Sequence, residues 1–153
     1  MKLQNKKREL IISSIKFFLI GALILILDQW TKFYFKGKNL TVIRDTLYIK
    51  YAENPGVIFG FFKSNIIFLY IFPIIIILII CYLFYKNELD WMSACFISIG
   101  LLGNVISRFV YGFVIDWIFI PIYPAWNVSL FNIADASLIL GVIFALAHIN
   151  RKK

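Results

Sequence analysis

Histidine, cysteine and acidic residues are all scarce in this chain. It has one histidine, two cysteines and eight acidic residues among 153. His148 lies beside the basic residues at the C-terminal end, which is more typical of anchoring at a membrane surface than of metal binding. Cys81 and Cys95 lie in apolar sequence without the close Cys or His spacing of a metal site, and they give no disulfide framework. We therefore expect packing cysteines, no metal site and no cofactor.

The chain also lacks anything that would divide it into domains. No Pro/Gly/Ser-rich linker, charge block, internal repeat or low-complexity tract interrupts it, so we expect residues 1–153 to form a single domain. Apolar residues are abundant instead: 61% of the residues are hydrophobic, 18% are aromatic and the mean hydropathy is +0.85. Soluble domains have roughly 45–50% apolar residues. This composition predicts an integral membrane protein.

Four apolar segments are long enough to cross a bilayer, which needs about 20 residues of helix. They span about 11–35, 66–85, 91–107 and 131–149. The first follows basic residues, as a signal peptide does, but no small-residue cleavage site precedes Asp28 and Lys32, so we expect a retained helix. The second contains Pro73, where neighbouring helices can accommodate a kink. The expected fold class is an all-α membrane protein, a four-transmembrane-helix bundle.

The segment from about 40 to 62 is β-rich. Its β-branched and aromatic residues partly alternate, and an Asn54-Pro55-Gly56 turn follows them. We expect a small extracytoplasmic β-sheet cradle that rests on the membrane surface. Several aromatic residues of the two outer loops are expected at the membrane interface: Phe59, Phe61, Phe62, Trp117, Tyr123 and Trp126.

Lysine and arginine flank the apolar segments and set the expected orientation. With both termini inside, nine of the sixteen basic residues lie on the inner side, most of them in dense terminal clusters. The net charge of +8 then indicates contact with anionic lipid rather than with nucleic acid. We therefore expect both termini on the inner side of the membrane, membrane lipid as a partner, and no nucleic-acid partner.

Four polar clusters interrupt the apolar sequence. An ionisable side chain in hydrocarbon costs at least about 2.5–3.5 kcal/mol, so each cluster needs a partner or a function. In the expected orientation all four lie near the outer face. Paired residues three or four positions apart share one helix face, so we expect convergence on a common site: Asp28 with Lys32, Asn104 with Arg108, and Asn132 with Asp135.

Two of these features also have a purely structural interpretation, which the sequence leaves open. The Asp28 and Lys32 pair is either a structural anchor or part of a site, and the spacing does not decide between them. Gly100 and Gly103 are typical of close helix packing, but packing does not account for Arg108.

The order of the clusters resembles that of the bacterial lipoprotein signal peptidases, the type II signal peptidases. Four boxes carry the resemblance over nearly the whole chain. They are Asp-Gln-x-x-Lys at Asp28–Lys32, Glu-Asn-x-Gly at Glu53–Gly56, Gly-Asn-x-x-x-Arg at Gly103–Arg108 followed by Gly-x-Val-x-Asp at Gly112–Asp116, and Phe-Asn-x-Ala-Asp at Phe131–Asp135.

The resemblance implies an aspartic endopeptidase of the bacterial cytoplasmic (inner) membrane, with cytoplasmic termini. It would cleave the signal peptide of prolipoproteins immediately before a diacylglyceryl-modified cysteine, so these prolipoproteins are the expected partners of a monomeric enzyme. The motif match assigns the catalytic dyad to Asp116 and Asp135, whose chemistry suits peptide hydrolysis because two adjacent carboxyls can share one proton. Other matched residues would bind substrate or shape the site: Asp28, Lys32, Asn54, Gly56, Asn104, Arg108, Asn132 and Ala134.

Two positions depart from the family pattern. Ser107 stands where the family usually has an acid, which leaves the orientation of Arg108 open, and Pro55-Gly56-Val57-Ile58 stands where small residues are commoner. Ser107 also permits a competing mechanism in which Lys32 activates it as a nucleophile, although we favour a serine that simply forms hydrogen bonds near Arg108 and Asn104.

Two other function classes remain as alternatives. A small ion-coupled transporter of four helices would more naturally place its acids near the bilayer midplane. A non-catalytic membrane scaffold would not need two converging acids.

Overall fold

The computed structural model describes residues 2–44, 46–56, 65–121 and 130–152. Within these ranges it contains four long helices and a four-stranded sheet. The helices are α1 (Lys2–Phe35), α2 (Phe72–Tyr85), α3 (Trp91–Tyr111) and α4 (Ile133–Lys152). The strands are β1 (Asn39–Ile43), β2 (Leu47–Asn54), β3 (Val114–Phe119) and β4 (Leu130–Phe131).

All four helices are long and apolar enough to cross a membrane, when the helical turn before α2 is counted with it. The predicted four-helix membrane fold with a small sheet is confirmed.

Helix α3 lies at the centre of the bundle and packs against α1, α2 and α4. In the most apolar stretch of α3, 61% of the residues are buried, against no more than 17% in the other helices. The polar side chains of α3, such as Ser93, Ser98 and Ser107, are buried in protein. They therefore avoid the cost of facing hydrocarbon.

Glycines bring α3 close to α4. A Cβ atom added at Gly100 would lie 2.6 Å from the carbonyl oxygen of Ala134, and one added at Gly141 would lie 2.6 Å from the backbone nitrogen of Ile97. Backbone atoms cannot move away cheaply from so short a contact. Gly100 therefore permits close helix packing, as its sequence context predicts.

The C-terminal end of α3 differs from the prediction. The predicted apolar span ends at about Ser107, whereas the helix continues through Arg108 to Tyr111. Gly112 ends it with φ of 82°, a left-handed conformation that glycine adopts without a steric penalty. The span counts apolar residues only, so the helix is longer than the span, and Arg108 is buried on it as the face it shares with Asn104 indicates.

The second segment begins with a π-helical turn, Ile67–Ile71, immediately before α2. Pro73 lies in the first turn of α2, where its missing N–H group costs little. The irregular backbone thus lies directly before the proline.

The sheet is antiparallel throughout, in the order β1-β2-β3-β4. Strands β1 and β2 occupy the predicted β-rich segment. Strands β3, which has six residues, and β4, which has only two, were not predicted. In the register, Ala52 of β2 faces Asp116 of β3, so the sheet holds one of the site acids.

Some expectations fall on residues outside the described ranges. These are the end of the β-rich segment, at 57–62, and five of the six interfacial aromatics: Phe59, Phe61, Phe62, Tyr123 and Trp126. The sixth, Trp117, lies on β3 and stacks against Phe35 at the end of α1, with ring centroids 4.4 Å apart.

Candidate active site

The last turns of α1 bury a charged pair. Asp28 and Lys32 have no exposed surface, and Lys32 Nζ donates a hydrogen bond to Asp28 Oδ2 at 2.8 Å. Lys32 also donates to Asn104 Oδ1 on α3 at 3.0 Å. The other carboxylate oxygen, Asp28 Oδ1, accepts the backbone N–H of Ala134 at the start of α4 at 2.9 Å. The pair therefore anchors α1 to both helices and also contacts the polar residues beside it.

Helix α4 begins with two reciprocal hydrogen bonds. Asn132 Oδ1 accepts the backbone N–H of Asp135 at 2.9 Å, and Asp135 Oδ2 accepts the backbone N–H of Asn132 at 3.2 Å. This is the arrangement of a capping box, with aspartate in the position that glutamate or glutamine usually takes. The negative charge of Asp135 also lies in the first turn, where the helix dipole favours it.

The amide of Asn132 joins the two acids. While its oxygen caps Asp135, its Nδ2 donates to Asp116 Oδ1 on β3 at 2.6 Å. Asn132 is fully buried, so this geometry is held without competition from water. One asparagine thus fixes the carboxyl of Asp116 relative to the start of the helix that carries Asp135.

Each acid has a second asparagine partner. Asn54 Nδ2 on β2 donates to Asp116 Oδ2 at 3.2 Å, and Asn104 Nδ2 on α3 donates to Asp135 Oδ1 at 2.7 Å. Amide donors such as these stabilise a buried carboxylate without adding a charge. The three asparagines come from three parts of the chain: Asn54 from β2, Asn104 from α3, and Asn132 from the position directly before α4.

Arg108 reaches the turn after β2. Its Nη2 donates to the carbonyl oxygen of Gly56 at 2.8 Å, and the Gly56 N–H in turn donates to Asn54 Oδ1 at 3.2 Å. The arginine is 7% exposed, so its charge is largely removed from water. Arg108 therefore orders the turn that presents Asn54 to Asp116.

These contacts form one continuous network. It contains all ten residues that the sequence assigned to the site, in the order Lys32, Asp28 and Ala134 on one branch and Asn104, Asp135, Asn132, Asp116, Asn54, Gly56 and Arg108 on the other. Elements far apart in sequence supply them, so only the folded chain brings them together.

Burial raises the pKa of Asp116 to about 7, and the negative charge of Asp135 adds to the effect. Hydrogen bonds from Asn132 and Asn54 and the positive charge of Lys32 oppose the rise but do not cancel it. Asp116 is 4% exposed, which explains why desolvation has the largest effect. This carboxyl therefore retains a proton at a pH where an ordinary aspartate is ionised.

The buried charges balance if the two acids share one proton. Asp28 and Lys32 neutralise each other, and Arg108 then matches the single negative charge that Asp116 and Asp135 carry together. A second negative charge on the pair would be uncompensated in a buried setting, where such charges are costly.

Ser107 is not part of this network. Its Oγ donates to the carbonyl oxygen of Phe113 at 3.3 Å and accepts the backbone N–H of Ile115 at 3.4 Å. The serine therefore forms hydrogen bonds, as the favoured interpretation expects, and its partners are backbone groups at the start of β3, because the chain turns back at Gly112. Lys32 meanwhile donates to other groups, so the hydrogen bonds of these two residues do not join them as base and nucleophile.

Two features of the site went unrecognised in the sequence. The Asn132-x-x-Asp135 spacing is a capping-box signature, and it was interpreted only as two residues on one face. Gln29 Nε2 donates to Asp28 Oδ2 at 2.8 Å and to the carbonyl oxygen of Gly103 at 2.9 Å. No local sequence signal indicates that second contact, since its partners are 74 positions apart.

The arrangement suits acid and base catalysis by carboxyl groups. Within the ranges described above, no three His, Cys, Asp or Glu side chains are grouped in a way that could hold a metal ion. Two buried carboxyls joined by one amide can donate and accept protons at a shared water molecule.

The family model for signal peptidase (SPase) II matches residues 20–151 of the chain. The chain belongs to the signal peptidase II family. It is therefore a multi-pass membrane peptidase of the aspartic type, and the transporter alternative is not supported.

Curated relatives agree with this assignment. A lipoprotein signal peptidase from Clostridium tetani is 32% identical over 140 residues, covering 86% of this chain and 90% of the relative. One from Enterococcus faecalis is 33% identical over 137 residues, covering 83% of each.

Solved structures extend the similarity to the fold. A bacterial membrane enzyme solved at 2.3 Å resolution has a TM-score of 0.80 and 31% sequence identity, covering 89% of this chain and 88% of that chain. A second, solved at 1.9 Å, has a TM-score of 0.77 at 31% identity, covering 88% and 92%.

Replacing Ser107 by alanine should preserve peptidase activity and lower stability. The change leaves a buried carbonyl of Phe113 and N–H of Ile115 without this partner, which costs about 1–3 kcal/mol, and the long bonds favour the lower end. Activity per folded molecule and thermal unfolding in detergent measure the two effects. Loss of all activity in folded Ser107→Ala, with an acyl-enzyme on Ser107 in the unmodified protein, would establish the serine mechanism instead.

Proposed function

We propose that this chain is a membrane aspartic endopeptidase that removes the signal peptide of bacterial prolipoproteins, cutting immediately before the diacylglyceryl-modified cysteine. Asp116 and Asp135 form its catalytic dyad. One observation carries the assignment of the dyad: the side chain of Asn132 donates to Asp116 and caps the helix at Asp135. The named relatives are lipoprotein signal peptidases, which supports the substrate class.

In this mechanism the dyad holds one proton between its two carboxyls. The ionised carboxyl removes a proton from a water molecule as the water attacks the scissile carbonyl carbon, while the protonated carboxyl gives its proton to the carbonyl oxygen. The resulting gem-diol intermediate collapses as the C–N bond breaks: the leaving amine takes a proton from the protonated carboxyl, and one hydroxyl of the gem-diol returns a proton to the ionised carboxyl, which restores the shared proton. The pair titrates as a unit, so both carboxyls serve as acid and base in turn.

The remaining network residues position the dyad and shape the substrate site. Asn54, Asn104 and Asn132 orient the carboxyls through amide donors. Arg108 holds Gly56 in the turn beside Asn54. Hydrogen bonds among three further residues join α1 to the start of α4: Asp28, Lys32 and Ala134.

We also propose a location and an orientation. The peptidase domain comprises residues 1–153 and acts as a monomer in the bacterial cytoplasmic (inner) membrane, in contact with membrane lipid and without a nucleic-acid partner. Both termini are cytoplasmic, and the dyad lies near the extracytoplasmic face. In support, Asp135 lies 17 positions before Lys152 on α4, or about 25 Å along the helix, so the dyad and the basic C-terminus occupy opposite ends of the bundle.

Asp116→Asn and Asp135→Asn should each lower cleavage of a lipidated prolipoprotein by about 10²–10⁴-fold. The amide keeps the size and some hydrogen bonds of the carboxyl but cannot exchange the required proton. Turnover by each purified variant is followed by the mobility shift of the cleaved substrate.

Asp90→Asn is the matched control for this pair. Asp90 lies before α3, where its carboxylate accepts the N–H groups of Met92 and Ser93, and asparagine also caps helices well. This variant should keep full activity. Normal turnover by either dyad variant would remove that acid from the mechanism.

Activity should fall as the pH rises above about 7. Because burial and Asp135 raise the pKa of Asp116 to about 7, deprotonation there leaves both acids ionised and removes the proton that the carbonyl oxygen needs. The pH dependence of kcat/KM measures this limb. In Asn54→Ala the limb should move to higher pH, since the lost hydrogen bond favours the ionised form of Asp116. Constant activity up to about pH 9 would contradict a shared proton.

The orientation can be tested with cysteines in a Cys81→Ala/Cys95→Ala background. A membrane-impermeant thiol reagent should label Thr46→Cys, in the turn between β1 and β2, in intact spheroplasts. It should label Arg151→Cys only after permeabilisation, which also shows that both cysteines can react. The opposite pattern would place the dyad on the cytoplasmic face.

A further inference from the structure

Helices α1 and α2 pack on α3 but hardly on each other. Their closest ring contact is between Phe17 and Phe84, which stack with centroids 5.8 Å apart. Around this pair the helices flank a half-open cavity of about 230 Å³. The cavity lies at the end of the bundle opposite the dyad.

The lining of this cavity is mostly apolar, and its hydroxyl groups are those of Ser14 and Tyr85. Its main residues are Leu10, Ser14 and Phe17 of α1 and Cys81, Phe84 and Tyr85 of α2; we call it the α1–α2 groove. Because it lies between two membrane-spanning helices, it faces acyl chains rather than water.

The length of the groove matches one leaflet. From Leu10 to Phe17 the helix rises about 11 Å at 1.5 Å per residue, while half of the hydrocarbon core measures about 15 Å. A single acyl chain that runs alongside α1 therefore fits the depth of the groove.

A basic residue stands at the end of the groove. Lys7 lies three positions before Leu10 and seven before Ser14, so it shares their helix face, and it is exposed. Lys86 directly follows Tyr85 at the end of α2, but its Nζ lies over the ring of Tyr82, which does not line the groove. The nearby acid Glu9 lies two positions after Lys7, on a different face of α1.

We propose that the α1–α2 groove binds an anionic phospholipid, with one acyl chain between the helices and the phosphate beside Lys7. The groove offers apolar surface to an acyl chain and a positive charge to a headgroup. A zwitterionic lipid would use the apolar surface but would gain little from the positive charge. The site is separate from the dyad and does not depend on the proposed peptidase mechanism.

The test compares phosphatidylglycerol with phosphatidylcholine of identical acyl chains, as adducts of the purified full chain in native mass spectrometry. Phosphatidylglycerol should bind more tightly. Lys7→Gln should weaken it by about five-fold, the effect of one basic residue at a membrane surface, and leave phosphatidylcholine unchanged.

Two charge-matched controls separate this site from general attraction to a basic protein. Arg8→Gln removes a charge from the next position of α1, about 100° around the helix from Lys7, and Arg151→Gln removes one from α4. Both should retain tight binding of phosphatidylglycerol. Equal losses in the controls and in Lys7→Gln would overturn the site.

A third variant tests the acyl chain. Ser14→Phe fills the groove without altering charge, and it should weaken binding of both lipids while peptidase activity and thermal unfolding stay near those of the unmodified protein. If Ser14→Phe misfolds, Cys81→Leu gives a smaller filling on the facing helix. Unchanged lipid binding by a folded groove-filling variant would contradict the proposal.

Discussion

The hydrogen bonds of one buried asparagine determine the geometry of the site. Asn132 uses its oxygen to cap α4 at Asp135 and its amide nitrogen to hold Asp116 on β3. An unpaired amide in this environment would cost several times what one ordinary hydrogen bond contributes. The requirement that both ends of Asn132 be satisfied therefore ties the start of a membrane helix to the sheet, and with it one carboxyl to the other.

Charge imposes the next constraint. Five ionisable side chains lie in or beside the network, and such a group is tolerated within a membrane protein only with partners. Asp28 and Lys32 satisfy each other inside the bundle, which leaves Arg108 and the two remaining acids to balance. One proton shared by Asp116 and Asp135 gives that balance, so the protonation state needed for acid and base chemistry is also the one that burial favours.

The sequence predicted the helices and the site members well, and the contacts poorly. Apolar length alone located four spans, because the bilayer restricts the possible structures so strongly. Spacing grouped Asn132 with Asp135, but the link from Asn132 to Asp116 crosses from a helix cap to a strand that has no clear sequence signature. The partner of Ser107 depended in the same way on the turn at Gly112, whose consequence is a tertiary contact.

Gly103 shows how packing and chemistry depend on each other here. A Cβ atom at this position would lie 2.8 Å from Asp28 Oδ2 and 3.0 Å from the Cβ of Ala134. Its carbonyl oxygen also accepts the hydrogen bond of Gln29. Any larger residue would push the Asp28 carboxylate away from the α4 start that it caps. The small residue is therefore required by the hydrogen-bond network as much as by helix packing, since α1, α3 and α4 meet at the point where the buried charges are neutralised.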